Sequence, residues 1–293
     1  METISCRQSV MMCRTMIISD VHLLRGSDSC VAMLSPIFDA CDHLIVNGDL
    51  VEYHKEFVKE QAQRVVEEIT RLADESNTKL SLLAGNHDHD ISKERAITFA
   101  GGRIVVTHGD AFHTMIAPWA RHAKIIREAW KTTRREQSET DEEETIENRF
   151  DATRLASIAE WTAEEKTGVH TDWKSMLSRP RIVWRILRYW RESPELARSF
   201  MARFYPEATH AITGHSHRQS IDRRRTPTVI NTGSFTFPGR PRCVILDGDE
   251  IQVIRLLKEG RCWTPDVRRK PLLHDWVEGA SIESGRHGIS TDI

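Results

Sequence analysis

TMIISDVH, residues 15–22, is a short apolar run that closes on a carboxylate and an imidazole two positions apart. Continuous apolar runs of this length, bounded by polar residues, suit strands buried on both faces. Working outward, the same design recurs as HLIVNGD (43–49), KLSLLAGNHD (79–88), GRIVVTHGD (102–110) and THAITGHSH (209–217). Between the second and third runs, residues 56–75 set Phe57, Val58, Val65, Ile69 and Leu72 at helical spacing among charges. This strand–helix–strand rhythm belongs to a layered α/β protein. TVINTGS (228–234), RCVILDG (242–248) and EIQVIRLL (250–257) add strand signals, the last two joined by a hairpin turn at Asp247-Gly248-Asp249.

The region from about residue 111 to 206 reads differently. It has helical patterning and no clear strand, an acidic stretch at 136–147, and an aromatic, arginine-rich stretch at 179–191. The expected organisation is one domain over residues 1–258 with this helical insert, followed by a surface-hugging or disordered tail at 259–293.

Composition narrows the function classes. The chain has 293 residues, 39% of them hydrophobic and 29% charged, an ordinary globular balance with enough length for a substantial core. A formal net charge of -2 gives no bulk positive field, so nucleic acid is not an expected partner and any anion must be held by a local site. None of the six cysteines forms a Cys-x-x-Cys pair, which fits reduced thiols in a cytoplasmic protein.

The chemistry lies in five polar clusters at predicted strand ends: Asp20-Val21-His22, Gly48-Asp49, Gly85-Asn86-His87-Asp88, His108-Gly109-Asp110 and Gly214-His215-Ser216-His217. In layered sheets, ligands bind beyond the carboxyl ends of strands, so these clusters are expected to converge. Imidazole, carboxylate and amide together suit two divalent metal ions of the Mn, Fe, Zn or Co type; an all-oxygen cage would favour Mg or Ca. On an extended segment, Asp20 with His22 and His215 with His217 would each share a face. The glycines at 48, 85, 109 and 214 are expected to let the backbone turn where these groups bunch.

Taken in order, the five clusters resemble the signature of the calcineurin-like metallophosphoesterase superfamily, over about residues 15–257 with the helical segment as an interruption. The resemblance implies a four-layer α-β-β-α sandwich of two mixed sheets with a helical cap insertion. It implies a first metal, Mn foremost, on Asp20, His22, Asp49 and His217. Asp49 would bridge to a second metal completed by Asn86, His108 and His215. By the same resemblance His87 contacts phosphate and protonates the leaving group, and Asp88 orients it. GDLVE, HGD and GHSH with a long helical insert are also similar to the branch containing UDP-2,3-diacylglucosamine diphosphatase, although that branch carries arginine where this chain has His87.

The implied activity is hydrolysis of a phosphoester or diphosphate bond in a phosphorylated small-molecule or lipid-linked substrate. The alternatives are a non-catalytic binding module on the same fold, and a nuclease or cyclic nucleotide phosphodiesterase, for which Arg223-Arg224-Arg225 is the one supporting feature. In the insert, Arg181, Arg185 and Arg188 recur at helical spacing. Such a helix can bind substrate phosphate, lie on an anionic membrane, or simply pack on its neighbours. His113, beside the fourth cluster, is a further candidate substrate contact. Glu52 and Asp110 are read as carboxylates able to orient the clusters next to them.

Overall fold

Alternation along the strands decides the layering. The computed structural model describes residues 13–24, 30–53, 58–138, 144–168, 179–236 and 239–289. In chain order these form β1 (Thr15–Ile18), α1 (Ser35–Phe38), β2 (His43–Asn47), α2 (Lys59–Glu75), β3 (Lys79–Leu83), β4 (Glu94–Phe99) and β5 (Ile104–Thr107). Three helices follow, α3 (Ala123–Ser138), α4 (Ile146–Thr167) and α5 (Pro180–Phe204). Then come β6 (His210–Thr213), β7 (Ser220–Asp222), β8 (Thr228–Asn231), β9 (Arg242–Asp247), β10 (Glu250–Glu259), β11 (Cys262–Pro265), β12 (Leu273–Trp276) and β13 (Glu283–Gly288).

The strands make two mixed sheets. One runs β11-β10-β9-β1-β2-β3, with β12 also paired to β10; the other runs β13-β4-β5-β6-β8-β7. β1, β2 and β3 are parallel, as are β5, β6 and β8, while the flanking strands are antiparallel. Successive side chains of a strand point to opposite faces. Ile17 and Ile45 of the first sheet therefore meet Ile97, Ile104, Val106, Ile212 and Ile230 of the second in a core between the sheets. Met16, Ile18, Leu44 and Val46 point the other way and pack with Ile37 and Phe38 of α1 and Ala62, Ile69 and Ala73 of α2. On the far side, Ala96, Val105, Ala211 and Val229 pack with Phe150 of α4 and Ala197, Phe200 and Met201 of α5. The result is the four-layer α-β-β-α sandwich. Of the stretch 56–75, the helix takes Lys59–Glu75, and residues 56 and 57 lie outside the described residues. Residues 139–143 of the acidic stretch and Cys6 lie outside them as well.

One expectation is corrected. The segment after Lys258 is not a structureless tail: it supplies β11, β12 and β13. Its sequence hides this because both outer strands attach to sheet edges through backbone pairing, β12 on β10 and β13 on β4. Among their side chains only Leu273 enters the core between the sheets, joined there by Val277 and Ala280 just beyond β12. β4 is likewise unannounced, because it opens on Glu94-Arg95 and the arginine is fully buried in an ion pair.

Leu273 tests the role of the C-terminal segment. It is 2% exposed and sits in the inter-sheet core. Leu273→Ala should lower unfolding free energy by about 2–5 kcal/mol in urea denaturation, where a disordered tail would give no change.

Candidate metal centre

The proposed ligands all follow strand ends: Asp20 and His22 after β1, Asp49 after β2, Asn86 after β3, His108 after β5, and His215 and His217 after β6. The first three strands belong to one sheet and the last two to the other, so the site straddles the common end of both.

The chain does not present these ligands from extended backbone. Asp20 (φ 52°), His22 (φ 51°), Asp49 (φ 55°), His215 (φ 65°) and His217 (φ 56°) are all left-handed. This corrects the expectation that the two Asp/His-x-His pairs share faces as strand residues do. Asp and His tolerate this region better than most residues, yet each such residue stores about 1–3 kcal/mol. Cross-links from neighbouring loops hold the strain. Asp20 N donates to Gly48 O (3.1 Å) and His22 N to Asp49 O (2.9 Å). His215 N donates to the Asp20 carboxylate (3.0 Å). Gly214 is required for close approach, since a Cβ there would overlap Asp20 Oδ2 and Ser19 Oγ.

Two groups of donors result. Ligand atoms of Asp20, His22, Asp49 and His217 lie within 4.8 Å of one another. Within this group His22 Nε2 is 2.9 Å from His217 Nε2, and His217 Nε2 is 3.3 Å from Asp20 Oδ1. In the second group, His108 Nε2 is 3.3 Å from Asp49 Oδ2, and His215 Nδ1 is 2.9 Å from Asn86 Oδ1. Asp49 belongs to both.

Hydrogen bonds on the far sides of the rings fix which nitrogens face inward. His108 Nδ1 donates to Asn47 O (2.9 Å), His22 Nδ1 to Glu52 Oε1 (2.9 Å), and His215 Nε2 to Ile116 O (3.1 Å). Each ring thus turns a lone pair toward the centre. Two of the inward atoms, His108 Nε2 and Asp49 Oδ2, are buried without a hydrogen bond.

The electrostatics ask for cations. Burial, reinforced by the charge of Asp49, pushes Asp20 up to about 7. Burial and Asp49 do the same to Asp88, also to about 7. Burial would raise Asp49 too, but His108, His87 and His22 outweigh it and hold that carboxyl well below its usual range. Burial would lower His108, yet Asp49 dominates and lifts it to about 10. A buried carboxylate facing imidazole lone pairs needs positive charge between them, and imidazole with carboxylate and amide oxygen is a donor set for a transition-type divalent ion. The residues present fit a metal.

A family profile described as calcineurin-like phosphoesterase matches residues 13–219. The chain belongs to that family. Comparison with curated proteins gave no match. Among solved structures, a dimetal phosphatase from Danio rerio is 10% identical, with a TM-score of 0.46, covering 90% of this chain and 99% of that one. A phosphoesterase from E. coli, YfcE, is 13% identical at TM-score 0.40, covering 90% and 100%. Vps29 from Entamoeba histolytica in complex with zinc is 10% identical at TM-score 0.41, covering 90% and 99%.

Around this calcineurin-like centre the remaining candidates sort by contact. His87 lies at its mouth, 15% exposed, with Nε2 4.0 Å from Asp49 Oδ2. Its Nδ1 is 3.0 Å from Glu52 Oε2, while the other Glu52 oxygen holds His22. Glu52, buried to 3% exposure, thus links a ligand to His87. The expectation that Asp88 orients His87 is corrected: its carboxylate accepts from the backbone N–H of Gly85, Asp49 and Leu50 at 2.6–3.1 Å and clamps two ligand loops together. Asp110 pairs with Arg95 (2.5 Å) and not with a ligand imidazole.

The insert reaches the same loops. Trp161 of α4 donates from Nε1 to Asn86 O, and Trp190 of α5 to Ser216 O, both at 2.9 Å. Tyr189 and Trp119 stand 6.1 and 5.8 Å from the His215 ring, centroid to centroid. His113 is half-buried, accepts from Met115 N (3.0 Å) and lies 6.2 Å from Tyr189, one ring removed from His215. Arg181, Arg185 and Arg188 are exposed, whereas Tyr189 and Trp190 of the same helix face the site. The structure does not bring those three arginines to the ligands. The turn at 231–234, which the sequence offers as a simple turn able to place backbone near the site, does reach it: Ser234 Oγ and Phe235 N hold Asp20 O at 3.0 and 3.1 Å, and Thr232 Oγ1 meets Ser19 Oγ at 2.6 Å. Only its place after a strand hinted at this.

Glu52→Gln should weaken the apparent affinity for Mn²⁺ by about 10–100-fold in calorimetric titration, because an amide offers one neutral acceptor where the carboxylate serves both His22 and His87. Glu160 on α4 gives a second prediction. It is 4% exposed, and burial, against the opposing influence of His87, pushes it up from 4.5 to about 8. An acid with a raised native pKa binds more protons folded than unfolded, so it lowers stability increasingly as pH climbs through that window. The stability gained by Glu160→Gln over wild type should therefore grow between pH 4.5 and about 8 and level off above, as read by urea denaturation across that range.

Proposed function

We propose that this chain is a metal-dependent hydrolase of a phosphoester or diphosphate bond. The observation that carries the reading is the pair of buried, unbonded atoms Asp49 Oδ2 and His108 Nε2, 3.3 Å apart and ringed by the other donors, with His87 at the mouth. In this reading Asp20, His22, Asp49 and His217 hold one divalent cation, and Asp49, Asn86, His108 and His215 hold a second. Mn, Fe, Zn and Co all suit the donors. When bound, such a pair supplies a nucleophilic water near neutral pH and offsets charge on the phosphoryl oxygens.

The chain's own residues do the rest. Glu52 and His87 form a carboxylate–imidazole couple: with Nδ1 anchored, His87 directs Nε2 toward the centre, where it can hold a proton for the departing oxygen. Asp88 keeps the loops carrying Asp49 and Asn86 in register. The insert at about 111–206 acts as a cap, since Trp161, Trp190 and Ile116 fasten it to two ligand loops, the one after β3 and the one after β6. A UDP-2,3-diacylglucosamine-like diphosphatase is the narrower form of this reading. The helical cap and the GDLVE, HGD and GHSH motifs support it, and His87 in place of arginine distinguishes this chain from that branch. Every ligand position is filled, which favours a hydrolase over a ligand-poor binding module. No helix among the described residues is long and apolar enough to cross a membrane.

Asp49→Asn and His217→Ala should each bring hydrolysis of a generic aryl phosphodiester to background while circular dichroism and thermal unfolding stay as in wild type. Chelation of the wild-type protein should do the same, and Mn²⁺ should restore turnover. Activity retained in either purified variant would overturn the assignment.

A further inference from the structure

Helix α5 has two unlike faces. The inward one carries Tyr189, Ala197, Phe200 and Met201, all buried. On the outward one, Trp184 is 60% exposed and Leu187 55%. They sit on one flank of the helix, roughly 60° apart at 100° per residue, with Arg191 between them. Arg181, Arg185 and Arg188 continue the exposed surface on the adjoining flank. Arg188 lies over the Trp184 ring, 5.5 Å from its centroid, and pairs with Glu192 of its own helix at 2.9 Å. Arg181, Arg185 and Arg191 have no carboxylate partner among the described residues. Had α5 been an ordinary packing helix, the tryptophan and leucine would be covered.

We propose that this face of α5 docks on an anionic lipid bilayer. The chemistry commits to that occupant. Tryptophan favours the headgroup boundary, leucine the acyl region just below, and arginines the anionic headgroups around them. Four arginines against Glu192, with Glu195 beyond them already paired to Arg198 and Arg225, leave the patch positive, so a second copy of the same face would bring like charges together. A nucleic acid would meet the arginines but leave Trp184 and Leu187 without an apolar partner. The docked face is also close to the centre. Trp190, six residues and about 9 Å along the helix from Trp184, holds the carbonyl of Ser216 between His215 and His217. The bilayer contact goes beyond hydrolysis and does not require it, so binding can be read without turnover.

The test is flotation of the full chain with phosphatidylcholine vesicles, with and without phosphatidylserine. The wild-type protein should float only with the anionic vesicles and be released as salt is raised. Arg191→Ala should weaken partitioning about fivefold, and Trp184→Ala with Leu187→Ala about tenfold or more. The helix should remain intact in both, because these side chains stand in water. Equal flotation with both vesicle types, no flotation with either, or variants that float like wild type would overturn the proposal. So would a dimer in sedimentation equilibrium that the Trp184/Leu187 variant abolishes, which would assign the face to a second copy of the chain.

Discussion

Asp20, Asp49 and Asp88 are buried together at the common end of two sheets, and their negative charges cannot coexist there without positive charge among them. The fold meets this demand in two ways. Asp88 is satisfied by three backbone N–H groups and Asp20 by His215 N and Ser19. Asp49 is left with one oxygen, Oδ1, bonded to His87 N and the other, Oδ2, bonded to nothing. An acceptor kept dry and unbonded, opposite imidazoles whose outer nitrogens are already committed, is a position waiting for a cation. The rest of the site follows from protecting that one atom.

Protecting it constrains the backbone. Five ligands adopt left-handed conformations, and such strain persists only where surroundings over-determine it. Here the determination comes from both sheets. Asn47, the last residue of β2, sends Nδ2 to Thr107 O (3.1 Å) and Ile212 O (3.4 Å) in the opposite sheet, and its own carbonyl receives His108 Nδ1. One residue thus fastens the two sheets through its side chain at the ligand end, while its backbone carbonyl fixes a ring that faces Asp49. The loop at 231–234 does the same for Asp20 from the other side. The placement of the candidate ligands and the sheet-to-sheet registry depend on the same bonds.

How much of this the sequence revealed depended on which force left a mark in it. β1, β2, β5 and β6 announce themselves because both faces are buried and every residue is apolar or ends the strand, and β3 does so through Leu80, Leu82 and Leu83 although Lys79 is exposed. β12 and β13 do not, because edge strands are held by backbone pairing that any residue can supply, and β4, flanked by β13 and β5, does not because it opens on Glu94-Arg95. Which residues would gather was legible, since only a few residue types bind metals and they cluster at strand ends. Ligand geometry was not: Asp20 and His22 look like alternate strand residues, and nothing local says that their φ values are positive. Glu52 and Asp88 were readable as nearby carboxylates, but which one faces His87 depends on where two loops cross, three dozen residues apart. Trp161 and Trp190 carry no local signal at all, because an indole donating to a carbonyl looks in sequence like any aromatic on an amphipathic helix.

Those two tryptophans change what the insert means. A cap resting on a site by apolar contact alone could shift without disturbing the ligands. This one hydrogen-bonds to the carbonyls of Asn86 and Ser216, one a ligand and the other between two ligands, and His215 returns a bond to Ile116 of the insert. The insert is therefore bonded into the candidate ligand loops, and a displacement of α4 or α5 would alter the angle at which Asn86 or His215 presents its donor. Glu160 fits the same logic. With burial lifting it to about 8, its carboxyl is neutral at pH 7, so α4 approaches His87 without adding another negative charge where an anionic phosphoryl group would have to sit. The neutral acid on the cap's inner face and the arginines on the outer face of α5 then have one electrostatic consequence: the insert carries its charge away from the centre, and the field at the ligands is left to the aspartates, the histidines and whatever cations they hold.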